Sequence, residues 1–177
     1  MSRIIPKWKP IFTFEFVEKQ LRKKTFGILS TADLEGKPHS TGVLYAISAE
    51  KFLFFILTAR GYKKVRNIEA NPYVSLVVPF PHYFLRFVPD STVQVQGIAE
   101  IVPFDDPEAQ KAFSQRRILK MMLERSCRLN IKDELVFIKI KPNRKIFCYA
   151  LGMGIMELWK NLEGGDYTVT IPEDRSI

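Results

Sequence analysis

Two spacings of apolar residues, one of two positions and one of three to four, divide the chain into strands interrupted by three helices. Phe14, Val17 and Leu21 recur at helical intervals with Glu18, Lys19, Arg22 and Lys23 between them, which predicts an amphipathic helix over Phe14 to Lys24. Phe26 to Thr31 and His39 to Ile47 read as strands joined by the turn Asp33-Leu-Glu-Gly36, whose glycine can take the positive φ of a hairpin connection. Ala49-Glu50 supplies the next turn and Lys51 to Leu57 a third strand. A basic helix is expected from Arg60 or Gly61. Within it Tyr62, Val65 and Ile68 share a buried stripe, while Arg60, Lys63, Lys64 and Asn67 lie together on another side. Asn71-Pro72 stops it, because the residue before a proline avoids the helical region.

Tyr73 to Val78 is the fourth strand, followed by a stretch to Pro89 in which prolines oppose regular structure and aromatic residues call for packing. In Thr92 to Val102, Val93 and Val95 alternate with Thr92, Gln94 and Gln96, and Gly97 permits a bulge or a close backbone approach. Asp105-Asp106-Pro107-Glu108 marks the start of a helix that runs to about Arg128. Leu135 to Ile140 and Lys145 to Leu151 complete the strands, with Pro142-Asn143 as an interruption, and Gly152-Met-Gly154 is a turn. Tyr167 to Ile171 can add one more strand in a tail that is otherwise extended. The expected organisation is one domain over residues 1–177, with an arm at 1–12 and a tail at 157–177.

A chain of 177 residues with 46% hydrophobic content is long enough to bury a sizeable core, and its 14 phenylalanines leave apolar surface for a second subunit to cover. The formal charge of +8 favours an anionic partner without naming it. Cys127 and Cys148 fit no CxxC pattern and read as reduced thiols, and with no secretory signal the expectation is a cytoplasmic protein without a membrane segment. Two histidines, with no Ser-His-Asp or HExxH arrangement, give no metal site and no named acid or base.

Chemistry concentrates in Thr58 to Pro72. A helix start carries unpaired N–H groups and partial positive charge, so with Lys63 and Lys64 beside it this corner is suited to a phosphate. Charge pattern alone also permits a solvated basic face.

Three segments in order give the chain a family likeness: Phe26 to Thr41, Leu57 to Leu76, and Val93 to Val102 with its Gly-x-Ala pattern. Together they resemble the pyridoxamine 5'-phosphate oxidase-like proteins, the FMN-binding split-barrel family. The resemblance implies an α+β protein, mainly β with helices, built on a six-stranded antiparallel split β-barrel. It also implies a homodimer with FMN at the subunit interface. Lys63 and Lys64 match the residues that hold the flavin phosphate, and Thr58 matches a position beside the flavin. His39, Ser40, Thr41, Gly42 and Val43 match the strand that contacts the ring, with Arg60, Thr92 and Gln94 as further candidates. Thr58 could instead cap the helix, and His39 could be an ordinary strand residue.

Relatives use FMN, F420 or haem, and His39 or His82 could approach haem. Thr41 stands where the vitamin-forming oxidases carry arginine, and Trp159 has no arginine companion, which argues against pyridoxamine phosphate as substrate. The expected function is a flavin-dependent oxidoreductase acting on an unidentified small molecule. The alternatives are a non-catalytic flavin, F420 or haem carrier and, less favoured, nucleic-acid binding through Arg116, Arg117, Lys120, Arg125 and Arg128.

Overall fold

The computed structural model describes residues 12–81, 90–154, 156 and 165–175. Its strands are β1 (Phe26–Ala32), β2 (Pro38–Ile47), β3 (Phe54–Ala59), β4 (Tyr73–Phe80), β5 (Ser91–Pro103), β6 (Leu135–Tyr149) and β7 (Asp166–Thr170). They pair antiparallel in the order β3-β2-β1-β4-β5-β6-β7, and a further ladder joins β3 to β6. That ladder closes the first six strands into a barrel. The seventh adds to the distal half of β6 from Lys145↔Thr170 to Tyr149↔Asp166.

Alternation explains which side chains fill the barrel. Leu29, Val43, Tyr45, Phe54, Ile56, Leu76, Val78, Val93, Val95 and Ile138 form one buried cluster, sealed at one end by Phe14, Val17 and Leu21 of α1 (Phe14–Lys23). The Tyr45 hydroxyl donates to the Leu21 carbonyl at 2.8 Å, which gives the buried phenol a partner. β3 is apolar on both faces because both are covered: Phe54 and Ile56 point inward, whereas Phe55 joins Ala46, Leu53 and Phe137 beneath α3 (Pro107–Ser114) and α4 (Arg117–Arg128). No helix among the described residues is long and apolar enough to cross a membrane.

Two sequence expectations need correction. The helix expected from Asp105 to Arg128 is two helices, with an extended residue, Arg116, between them. α3 buries Ala109, Ala112 and Phe113, and a continuous helix would carry that stripe onto Arg116 and Lys120. The break takes Arg116 out of that stripe, while α4 buries Leu119 and Leu123.

β6, conversely, is not interrupted by Pro142. Its pairing with β3 ends at Ile140 and that with β7 begins at Lys145, so the proline lies where one edge of the strand has no ladder to lose. On the other edge Pro142 faces Gly97, where the register shifts. A Cβ at Gly97 would collide with the Lys141 carbonyl, so this close backbone crossing requires glycine.

The hairpin turn has Gly36 at φ 79°, Gly152 takes φ 81°, and β7 forms as the tail pattern indicates. Most of the expected arm, the Pro-rich stretch at 82–89 and residues 157–164 of the tail lie outside the described residues.

Candidate functional site

The barrel is split between β2 and β3. Their ladder runs only from Ile47↔Phe54 to Tyr45↔Ile56. Beyond it, β2 stays paired with β1 through Thr41 and His39, while β3 stays paired with β6 through Thr58 and Ala59. Among the described residues each strand therefore has a free edge toward the other. The Oγ1 atoms of Thr41 and Thr58, on the two diverging strands, are buried without a hydrogen-bond partner among the described residues. Buried hydroxyls ordinarily find partners, so two such atoms where the sheet parts point to a polar group outside the chain. Thr58 does not cap the following helix.

That helix, α2 (Lys63–Ala70), follows β3 after a short turn. Its cap position is Tyr62, extended and with no side-chain bond to the first turn, which contains no acidic residue. The Tyr62 amide donates to Ala59 and the Tyr62 carbonyl accepts from Val65 at 3.0 Å. The amides of Lys63 and Lys64 have no partner among the described residues, so the positive end of the helix is unsatisfied.

The lysines differ. Lys63 is exposed, whereas Lys64 is only 9% exposed, with its ammonium 5.1 Å from the centre of the Tyr62 ring. Burial lowers the Lys64 pKa below its ordinary value, and no carboxylate pairs with it among the described residues. A desolvated cation beside unsatisfied amides is an anion seat in chemical terms.

Helix position is fixed by Asn67, one turn beyond Lys64. Its Nδ2 donates to Thr31 Oγ1 at 3.0 Å, and Thr31 in turn donates to the His39 carbonyl at 3.3 Å. Asn67 thus ties the lysine helix to the hairpin that carries His39 and Thr41. The sequence reading placed Asn67 on the cationic side and Tyr62 in the buried stripe. The structure reverses both, with Asn67 buried and Tyr62 57% exposed because it precedes the first helical turn. The three-residue spacing of Lys64 and Asn67, with Ile68 beside them, was the available signal that this polar pair faces the barrel.

The remaining candidates separate by strand alternation. Val43 points into the core, and His39 is half-buried. Ser40 and Gly42 lie on the outer face, where Ser40 meets Ser30 at 2.8 Å and Gly42 lies beneath the Phe26 ring. Thr92 and Gln94 occupy the outer face of β5, with Gln94 Nε2 donating to Ser75 at 2.9 Å. Arg60 lines a different cavity, of about 270 Å³, with Asp105, Lys132 and Asp133. His82 lies outside the described residues.

A family model described as pyridoxamine 5'-phosphate oxidase matches residues 14–148. No curated protein matches in sequence. Among solved structures, the haem storage protein HutZ of Vibrio cholerae is 19% identical with a TM-score of 0.60, over 77% of this chain and 94% of that one. General Stress Protein 26 of Bacillus anthracis is 26% identical with a TM-score of 0.50, over 73% and 88%. A pyridoxamine 5'-phosphate oxidase-related, FMN-binding protein of Nostoc punctiforme is 12% identical with a TM-score of 0.52, over 74% and 76%. These likenesses establish a shared fold.

Proposed function

Because the chain belongs to the pyridoxamine 5'-phosphate oxidase family, we propose that it binds FMN at the split and works as a flavin-dependent oxidoreductase on a small molecule. The observation that carries this reading is the pair of partnerless buried hydroxyls, Thr41 and Thr58, beside an uncapped helix start that holds two lysines. A flavin mononucleotide needs both features, a dianionic phosphate to be neutralised and polar ring edges to be hydrogen-bonded within an apolar wall.

Lys63, Lys64 and the first amides of α2 receive the phosphate. Thr41 and Thr58 supply hydroxyls to the ring edge, and His39 and Val43 line its side. When bound, the flavin supplies hydride or electron transfer. The protein's own contribution is to hold the ring, neutralise the phosphate and keep water from the reacting face.

The same reading takes the protein as a homodimer. The outer face of β1, β4, β5 and β6 exposes Phe26, Ile28, Tyr73, Ile98 and Phe147. The ladders Ile28↔Val77↔Gln94↔Phe147 place a row of this surface across four strands. A sheet face that carries these exposed apolar side chains among Ser75, Thr92 and Gln94 is suited to a second copy, and Ser40, Gly42, Thr92 and Gln94 then lie at the interface. Cys127 and Cys148, both free, suit a cytoplasmic location.

The test is the chromophore that co-purifies with the full chain, followed by FMN titration of the stripped protein. Flavin absorption bands, fluorescence quenching on binding and loss of both in a Lys63→Ala, Lys64→Ala variant are expected. Absence of quenching, or equal binding by that variant, overturns the assignment. A Soret band would replace flavin by haem and favour the carrier function. Bound FMN that nicotinamide cofactors fail to reduce anaerobically would also favour a carrier over an oxidoreductase.

A further inference from the structure

Away from the split, Arg22, Lys24 and Arg116 border a cavity of about 290 Å³ with no carboxylate among the described residues of its lining. It is walled by the far end of β2 at Tyr45, Ala46 and Ile47, and by the corner where α3 gives way to α4. Along β2, Thr41 and Ala46 are five residues apart, or about 17 Å of extended chain. The cavity is therefore separate from the proposed flavin seat and does not depend on it.

Its charges are uneven. Glu18 is the acidic partner of Arg22, and it is shared by two guanidiniums, Arg22 at 2.7 Å and Arg175. Arg22 also donates to the carbonyls of Ile47 and Ser48, which fixes it as part of the wall. The other acids of this neighbourhood are engaged elsewhere: Glu50 with Lys111, and Glu108 with Lys139 and Ser48. Lys24, whose ammonium lies 5.5 Å from the Phe80 ring centre, and Arg116 have no carboxylate partner among the described residues.

The interruption of the helix gives Arg116 its position. A continuous helix would have pressed this residue against the sheet, whereas the extended backbone places it at the rim with Gln115 beside it.

We propose that this cavity binds the phosphate group of a small phosphomonoester. Two cations without counter-ions match a dianion, and a carboxylate would leave one of them uncompensated. Arg116 offers a planar fork to two phosphate oxygens, Lys24 a point charge, and the Gln115 amide a neutral donor. Ala46, Ile47 and Ala112 provide apolar wall for the carbon portion of the ligand. The shared chemistry also admits free inorganic phosphate, so the experiment uses both probes.

The experiment is a titration of the full chain, followed by NMR of the Arg Nε–H and Gln side-chain amide resonances. Inorganic phosphate is used in one arm and glycerol 3-phosphate in the other. Saturable shifts at Arg116 and Gln115 are expected in the wild type and in the Lys63→Ala, Lys64→Ala variant, which separates this site from the flavin seat. Tighter binding of glycerol 3-phosphate assigns the site to an organic phosphate. Equal or tighter binding of inorganic phosphate overturns the phosphomonoester assignment. Lys24→Ala with Arg116→Gln should weaken binding at least tenfold at unchanged melting temperature, and Arg116→Lys should restore part of it. Non-saturating shifts in the wild type overturn the site whatever the variants do, as do shifts that survive the double substitution.

Discussion

Asn67 of α2 donates a 3.0 Å hydrogen bond to Thr31 of β1, and both side chains are buried. Thr31 passes the connection to the His39 carbonyl, so one polar chain sets the position of the lysine helix against the hairpin. Removing either end strands a buried polar group. Asn67→Ala should lower stability by about 1–3 kcal/mol, the usual cost of leaving such a group without its partner. Thr31→Val should do so to a similar degree. Urea denaturation checks the pair: Asn67→Ala with Thr31→Val should cost less than the two single changes together, because neither partner is then left unsatisfied. Fully additive losses would show that the bond does not link helix and hairpin.

In the proposed flavin seat Lys64 would serve binding at the expense of stability. Burial holds its ammonium below the ordinary pKa of 10.5, so the native state gives up this proton before the unfolded chain does. Below the folded pKa both states are protonated and the native state bears the desolvation cost. As pH rises through the folded pKa toward 10.5, that cost fades. Lys64→Met should therefore raise the melting temperature of the ligand-free protein at pH 7, with the gain shrinking as pH approaches 10.5. The same variant should bind FMN at least about tenfold more weakly, the equivalent of one charge-assisted hydrogen bond. A variant that is less stable than the parent at pH 7 would contradict the burial argument.

The strands were legible because period-two alternation in Val93 to Ala99 or Leu29 to Thr31 records one buried and one open face. Glycine and proline marked the turns at Gly36 and Asn71-Pro72 for local steric reasons. What could not be read depended on distant neighbours. Pro142 looks like a strand breaker until one edge of β6 is known to be unpaired there. Asn67 looks like part of a basic surface until Thr31 stands opposite it. The break at Arg116 was hidden for a different reason, since Leu119 and Leu123 stand seven and eleven residues from Ala112 and continue its stripe on an unbroken helix. For the site, the lysine pair was visible as a charge cluster. The divergence of β2 from β3, which leaves Thr41 and Thr58 without partners, comes from ladder lengths that no local pattern encodes.

Two glycines in the chain should respond oppositely to alanine. At Gly97 the added methyl meets the Lys141 carbonyl across the bulge, and backbone on both sides prevents easy relief. Gly97→Ala should cost about 1–3 kcal/mol or more, as overpacked sites do. Gly61 has open space where a Cβ would stand, so Gly61→Ala should be neutral or stabilising by up to about 1 kcal/mol through a stiffer unfolded chain. Chemical denaturation of the two variants side by side is sufficient, and equal effects would exclude the close crossing as the reason for glycine at position 97.

The outer sheet face gives the sharpest test of assembly. Ile28 is 39% exposed at the start of a row that continues through Val77 and Gln94 to Phe147, with its side chain away from the barrel core. In an isolated subunit Ile28→Asp removes little burial and should change stability by no more than about 0.5 kcal/mol. If the face meets a second copy, the same carboxylate is forced into an apolar contact and costs several kcal/mol there, enough to dissociate the dimer at micromolar concentration. Light scattering should then report a dimer for the parent and a monomer for the variant. Flavin binding should fall with dissociation even though Lys63, Lys64 and Thr58 are untouched. A variant that stays dimeric and retains its flavin would move the interface to another face of the barrel.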